Sequence, residues 1–224
     1  MFGWAVKDTL FESDVNSDLD LLDFGYSQSK WVSEQVVLNA MKHGLKARIF
    51  RPALLTPSVE GGGSNFDISI RLIAFMIKHG IGVDTPNQVS FVPANVAANN
   101  IIAISNVPDT INKTFHVTRD IYSNMMDITD TITRLTGQKF NLFKLKDFVP
   151  EVIKRCTRDD LLYPLLDFLV HSVDNISTMQ FKRYDSSNYQ NARNKSEYGL
   201  QDPSLDDTVT GILLFMHRNE IIYV

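Results

Sequence analysis

The run GYSQSKWVSE, residues 25–34, sets Tyr26 and Lys30 four positions apart at the head of an apolar-striped segment. Residues at that spacing project from one face of an α-helix. Val32, Val36, Val37, Ala40 and Met41 continue the stripe, Lys42 and His43 fall in its last turn, and Gly44 follows as a left-handed stop. Residues 47–52 then read as a short strand closed by Pro52. Helix, glycine and strand in that order make half of an alternating α/β pattern. On spacing alone, Tyr26 and Lys30 are either exposed polar residues or a proton-transferring pair. A tyrosine hydroxyl is ordinarily a poor acid. An ammonium about 5 Å away favours the phenolate and suits the group to general acid catalysis, and the same ammonium can hydrogen-bond a ribose hydroxyl.

Downstream, residues 54–65 carry Thr56-Pro57 and Gly61-Gly62-Gly63 and read as a long flexible loop. Phe66, Ile70, Ile73 and Ile77 mark a helix ending at His79-Gly80, and Asn95 is placed as the N-cap of an apolar segment over 96–104. Residues 114–117 read as a strand, 126–136 as a helix stopped by Gly137, and 140–145 as an edge strand. Residues 161–170 are apolar on nearly every face, with Pro164 fit only for a first turn or a break. A polar stretch over 185–196 and a closing helix over 205–216 follow. The change of character places a domain boundary near 145–150, dividing the chain into 1–147 and 148–224.

Composition narrows the class. The 224 residues are 44% hydrophobic and 21% charged, as in an ordinary globular protein. No apolar run reaches the roughly 18 residues of a membrane span, and the N-terminus lacks a basic-then-apolar signal, so a cytoplasmic setting is expected. Cys156 is the only cysteine, which excludes an internal disulfide and a multi-cysteine metal site; no metal is expected. A net charge of -4 argues against nucleic acid as a partner. Residues 1–25 set Lys7 against Asp8, Glu12, Asp14, Asp18, Asp20 and Asp23. Their spacing matches no calcium loop, and the stretch reads as a solvated segment. Glycosylation-type triplets at Asn112, Asn175 and Asn194 read as chance matches in a chain without a signal peptide.

The run at 25–34, followed by a strand ending Arg51-Pro52, resembles the extended short-chain dehydrogenase/reductases. More narrowly it resembles the thioester reductase domains that end nonribosomal peptide and polyketide synthetases. Carboxylic acid reductases, aminoadipate reductases and male-sterility-type fatty acyl reductases are relatives of these. VPANVA at 92–97, FHVT at 115–118 and LLYPLLDF at 161–168 extend the match over nearly the whole chain. The resemblance implies an α/β chain: the C-terminal part of a Rossmann-like doubly wound parallel sheet in 1–147, with a smaller, mostly helical substrate-binding region in 148–224. It implies NADPH as cofactor and a carrier-bound acyl thioester as substrate, reduced to aldehyde or alcohol. The partner would be an acyl or peptidyl carrier protein with its phosphopantetheine arm.

Carried onto this sequence, the family's roles make Tyr26 the proton donor to the carbonyl oxygen as hydride arrives. Lys30 would support that tyrosine and hold the nicotinamide ribose, while Pro52 and the backbone near Leu55 would border the nicotinamide ring. Residues 58–66, 91–93 and the C-terminal third would shape the substrate channel. Leu161, Leu162, Leu165, Leu166, Phe168 and Leu169 are either core or acyl contacts. Lys182, Arg183, Arg193 and Lys195 would face an acidic carrier or solvent.

Departures from the family pattern bound this reading. No G-x-G-x-x-G turn occurs, and Gly61-Gly62-Gly63 comes too late in the order to cradle a pyrophosphate. The family's catalytic Ser or Thr would precede Met1. Asn95 stands where the family carries Asp, and Ala53 where it carries Gly. The chain is therefore expected to be the C-terminal part of a reductase, completed by a preceding segment with the first strands and the glycine-rich loop. The alternative is a non-catalytic remnant that binds an acyl chain or carrier protein. A nucleotide-sugar epimerase or dehydratase shares Tyr-x-x-x-Lys but fits the apolar C-terminal third poorly.

Overall fold

Glycines and helix-capping side chains stop the periodic segments where the sequence pattern breaks. The structure, a computed structural model, describes residues 8–15, 22, 25–63, 65–178 and 183–222. The first half of the described chain forms β1 (Thr9–Leu10), α1 (Gly25–Lys42), β2 (Ile49–Pro52), β3 (Leu54–Thr56), α2 (Ile68–His79), β4 (Ile81–Asp84), β5 (Gln88–Val89), β6 (Phe91–Pro93) and α3 (Ala94–Ser105). The second half adds β7 (Thr114–Val117), β8 (Ser123–Asn124), α4 (Met125–Thr136), β9 (Asn141–Lys144), α5 (Leu145–Arg155), α6 (Leu166–Thr178), β10 (Arg183–Tyr184), α7 (Ser187–Lys195) and α8 (Leu205–Arg218). These elements make two units, each drawn from three stretches of sequence.

The first unit comprises the described residues within Met1–Ala53, Ala97–Asp120 and Phe181–Gln201. β2 pairs in parallel with β7, matching Ile49 to Thr114 and Pro52 to Val117, and β1 pairs in parallel with β10. Phe50 stacks on the fully buried Phe115 with ring centroids 5.1 Å apart. Behind them Asn100 of α3 donates to the Tyr189 hydroxyl at 2.8 Å and to the Leu200 carbonyl at 3.0 Å. Its own carbonyl oxygen accepts the Leu200 N–H at 2.7 Å, so a buried amide is fully used.

The second unit comprises the described residues within Leu54–Val96, Ile121–Gln180 and Asp202–Val224. Two parallel pairs, β3 with β6 and β4 with β9, and one antiparallel pair, β5 with β8, lie among its helices. α2 begins at the Asp67 cap, whose carboxylate accepts the Ile70 N–H at 3.0 Å, and ends at Gly80 with φ 60°. α4 opens with a reciprocal Asn124–Asp127 capping box and ends at Gly137 with φ 79°. Ile70, Ile73 and Met76 of α2, Ile128 and Ile132 of α4, and Ile212 and Phe215 of α8 meet in one apolar core. Asp160 ties the approach to α6 onto α2. Its Oδ1 accepts from Lys78 Nζ at 2.8 Å and His79 Nε2 at 3.1 Å, and its Oδ2 accepts from the Thr157 N–H and hydroxyl. Burial pushes this carboxyl up, but those donors outweigh it and hold it well below the usual carboxylate range.

Several sequence expectations need correction. Residues 54–65 begin as β3 rather than loop. The rest is held: the Ser58 N–H donates to the Gly62 carbonyl and the Gly61 N–H to the Ser58 carbonyl. Asn95 lies exposed inside α3, which starts one residue earlier, so it is not an N-cap. Leu145, expected to end the edge strand, instead opens α5, and residues 146–155, given no element in the sequence, continue it with Pro150 inside, because Phe148, Val149 and Val152 make a buried face. Residues 187–195 of the polar stretch form α7. In the run at 161–170, Leu162 and Leu169 are core, while Leu161, Leu165 and Leu166 pack half-buried against it. Among the described residues, no helix is long and apolar enough to cross a membrane, and no three His, Cys, Asp or Glu side chains gather as metal ligands.

Candidate functional site

α1 carries the tyrosine and lysine in its first turns, and of its 18 residues only Ser27 is buried. Tyr26 is 56% exposed and Lys30 is exposed. The Lys30 ammonium lies over the Tyr26 ring, 5.4 Å from its centroid, as the four-residue spacing requires. Ser29 Oγ donates to the Tyr26 carbonyl and Ser33 Oγ to the Ser29 carbonyl, so the hydroxyls on this side are turned back onto the helix. Pro52 closes β2 in the same unit and is exposed. Leu55 lies in β3 of the second unit, opposite Val92 and 40% exposed.

A buried polar network sets α1 in the first unit. Glu34 on α1 meets Arg51 on β2 through two bonds, Nε to Oε2 at 3.1 Å and Nη2 to Oε1 at 2.5 Å, with the side chains 15% and 8% exposed. Arg51 also donates to the carbonyls of Asp14 at 2.8 Å and Glu12 at 3.4 Å. Its remaining N–H points at His116 Nε2, 3.1 Å away. All five guanidinium donors therefore have acceptors. His116 Nδ1 lies 2.7 Å from the Asp185 carbonyl, which fixes the tautomer: Nδ1–H donates and Nε2 accepts.

Glu12 is the second centre of that network. The sequence places it in a solvated acidic segment, yet it is 2% exposed. Its Oε1 accepts the N–H groups of His116 at 2.9 Å and Tyr189 at 3.0 Å, and its Oε2 accepts that of Asn188 at 2.6 Å. It thus caps α7 from a distant part of the chain. Lys7, Asp18, Asp20 and Asp23 lie outside the described residues, as does Lys182. Arg193 is buried against Asp120 at 2.9 Å, which removes it from any charged surface offered to a carrier.

Burial, reinforced by the Arg51 charge and opposed by Asp185, brings His116 down to about 4. The ring thus stays neutral in the fold between pH 4 and its ordinary 6.5, while the unfolded chain takes up a proton there. Stability therefore rises with pH across that window and is lost as pH falls from 6.5 to 4, by about 3 kcal/mol from this group. Burial raises the Glu12 carboxyl against the pull of its backbone donors, so it has the opposite sign just above its ordinary 4.5 and offsets part of the loss. Urea midpoints at pH 4.5 and 6.5 should differ more for the natural chain than for His116→Gln. Equal differences would place the acid sensitivity in another group.

The nicotinamide cofactor implied by the sequence fits these residues at one end only. Lys30 and Tyr26 offer exposed donors suited to a ribose and a carbonyl oxygen. No described helix N-terminus is opened by a glycine turn that could take a pyrophosphate. Gly61 lies instead against α8, where an added Cβ would meet Leu214 Cβ at 2.7 Å, and the next helix starts at an acidic cap, Asp67.

Residues 5–101 match the family described as Male sterility protein. The chain is 31% identical over 151 residues to the nonribosomal peptide synthetase asaC of Aspergillus flavus, covering 66% of this chain and 15% of that one. It is 27% identical over 177 residues to the L-2-aminoadipate reductase large subunit of Candida glabrata, covering 75% and 13%. The terminal R domain from the myxalamid PKS-NRPS pathway superposes with a TM-score of 0.84 at 21% identity, over 96% of this chain and 55% of that one. The fold is accordingly α/β and Rossmann-like, shared with such reductase domains. The chain spans only a small part of the curated relatives and about half of the R domain.

Proposed function

We propose that this chain, a relative of nonribosomal peptide synthetase reductase domains and aminoadipate reductases, supplies the tyrosine–lysine centre of a nicotinamide-dependent thioester reductase. The observation that carries the reading is the Lys30 ammonium seated over an exposed Tyr26 ring on the first turns of α1. A carrier-bound acyl thioester accepts hydride at its carbonyl carbon while the Tyr26 hydroxyl gives its proton to the carbonyl oxygen. Collapse of the hemithioacetal expels the carrier thiol and leaves an aldehyde, which is either released or taken by a second hydride to the alcohol. Lys30 holds the ribose and offsets the charge left on Tyr26; Pro52, in the same unit, borders the nicotinamide. NADPH is the cofactor in this proposal, the substrate arrives on the phosphopantetheine arm of a carrier protein, and residues 148–224 form the region that receives the acyl group.

Tyr26→Phe in the natural polypeptide should cut NADPH consumption with an acylated carrier by about 100-fold or more, since general acid catalysis supplies that much. NADPH affinity should stay nearly unchanged, while Lys30→Ala lowers both. Retention of more than about a tenth of the rate, under roughly 1.4 kcal/mol of lost transition-state stabilisation, removes Tyr26 from the acid role. The second reading is a carrier- or acyl-binding module without turnover. Carrier binding with no NADPH oxidation would select it.

A further inference from the structure

We infer that Arg51 is a positioning residue that keeps the Glu34 carboxylate away from Lys30, leaving the Lys30 ammonium on Tyr26. Tyr26, Lys30 and Glu34 are spaced four apart, so they form one stripe that drifts only about 40° per step around α1. A lysine and a glutamate at that spacing ordinarily pair across one helical turn. Here they do not. Lys30 makes no ion pair among the described residues, and both Glu34 oxygens are taken by the Arg51 fork. The fork is itself fixed from the other side by the Glu12 and Asp14 carbonyls and by His116 Nε2, all held in the same unit. A lysine at position 51 could not reproduce this, because one ammonium cannot bind two carboxylate oxygens and three further acceptors. The arrangement is a competition for one carboxylate between a buried guanidinium and an exposed ammonium, and burial plus bidentate geometry decides it for the guanidinium.

The consequence for catalysis rests on the proposed tyrosine–lysine chemistry, but the geometry can be tested without turnover. Lysine ε-methylene protons over an aromatic ring are displaced upfield, and spectra of the chain with ε-13C-labelled lysine report this for Lys30, assigned with Lys30→Arg. Tyr26→Leu supplies the value without the ring. Arg51→Met should lose most of the upfield displacement as Lys30 swings to Glu34, and Arg51→Met/Glu34→Gln should recover it. Glu34→Gln alone should leave it in place, because no carboxylate remains to compete. Where Arg51→Met fails to fold, Ser33→Glu tests the same competition, since it puts a second carboxylate three residues from Lys30 with Arg51 intact; it should reproduce the loss. If Glu34→Gln moves Lys30 as far as Arg51→Met does, the ion pair merely sets the helix and the inference is wrong. An unchanged Lys30 in Ser33→Glu overturns it equally. Either failure leaves the thioester-reductase reading standing, because that is decided by Tyr26→Phe turnover.

Discussion

Glu12→Ala is expected to destabilise the first unit by about 3 kcal/mol or more, the cost of leaving several buried donors without an acceptor. The substitution removes one side chain but strands the N–H groups of His116, Asn188 and Tyr189, which all end on that carboxylate. Two of these donors belong to the first turn of α7, so a remote helix loses its cap together with the buried bonds. Glu12→Gln keeps the shape and one acceptor oxygen, yet turns an amide N–H₂ toward backbone donors; its loss should fall between the natural chain and Glu12→Ala. Denaturant midpoints followed by circular dichroism measure the series. An unchanged midpoint for Glu12→Ala would mean that water replaces the carboxylate and that the segment around residue 12 is not a structural anchor.

The second large effect lies in the other unit, at Gly211 in the middle of α8. Helix propensity alone favours Gly211→Ala by about 1 kcal/mol. Packing opposes it: a Cβ there would stand 2.3 Å from the Ser58 carbonyl oxygen and 2.9 Å from Val59 Cα. Both are backbone atoms of the turn that leads into the glycine run, and that turn is closed by its own hydrogen bonds and by Arg218 Nη1 on the Glu60 carbonyl. The turn cannot yield cheaply, so steric cost exceeds propensity. A net loss of about 2 kcal/mol is expected for Gly211→Ala and more for Gly211→Val. Thermal melts decide the sign, and a higher midpoint for the alanine variant would show that the loop gives way.

What the sequence displays locally is what it allowed to be read. α1, α2, α4 and α8 are legible because their apolar residues recur at helical spacing and because Gly44, Gly80 and Gly137 stop the first three. α5 is hidden by Pro150, normally a breaker, whose cost is outweighed by the buried faces of Phe148 and Val152. α7 is hidden for another reason. Of its residues, only Tyr189, Ala192 and Arg193 are buried, and its stability comes from Glu12 and Asn100, both far away in sequence. The candidate site divides the same way. Tyr26 and Lys30 advertise themselves by spacing within one turn. The groups that fix them do not, since Arg51 meets Glu12 across 39 positions and His116 across 65. Glu34 is legible as the end of the run at 25–34 and Arg51 in the strand that follows, but nothing local marks them as partners.

The pairing of Thr9 with Arg183, and of Glu12 with Asn188 176 positions later, also sets an order of events during synthesis. At ordinary elongation rates, roughly 10 to 30 s separate the appearance of the early partners from that of the late ones. Throughout that interval the helix bearing Tyr26 and Lys30 exists without its distant anchors, and its closure carries the entropy cost of very long loops. Premature termination near residue 180 would therefore reach back and undo the setting of residues 26 and 30, although it removes nothing near them in sequence. A lesion near residue 180 would thus behave as a defect near residue 30.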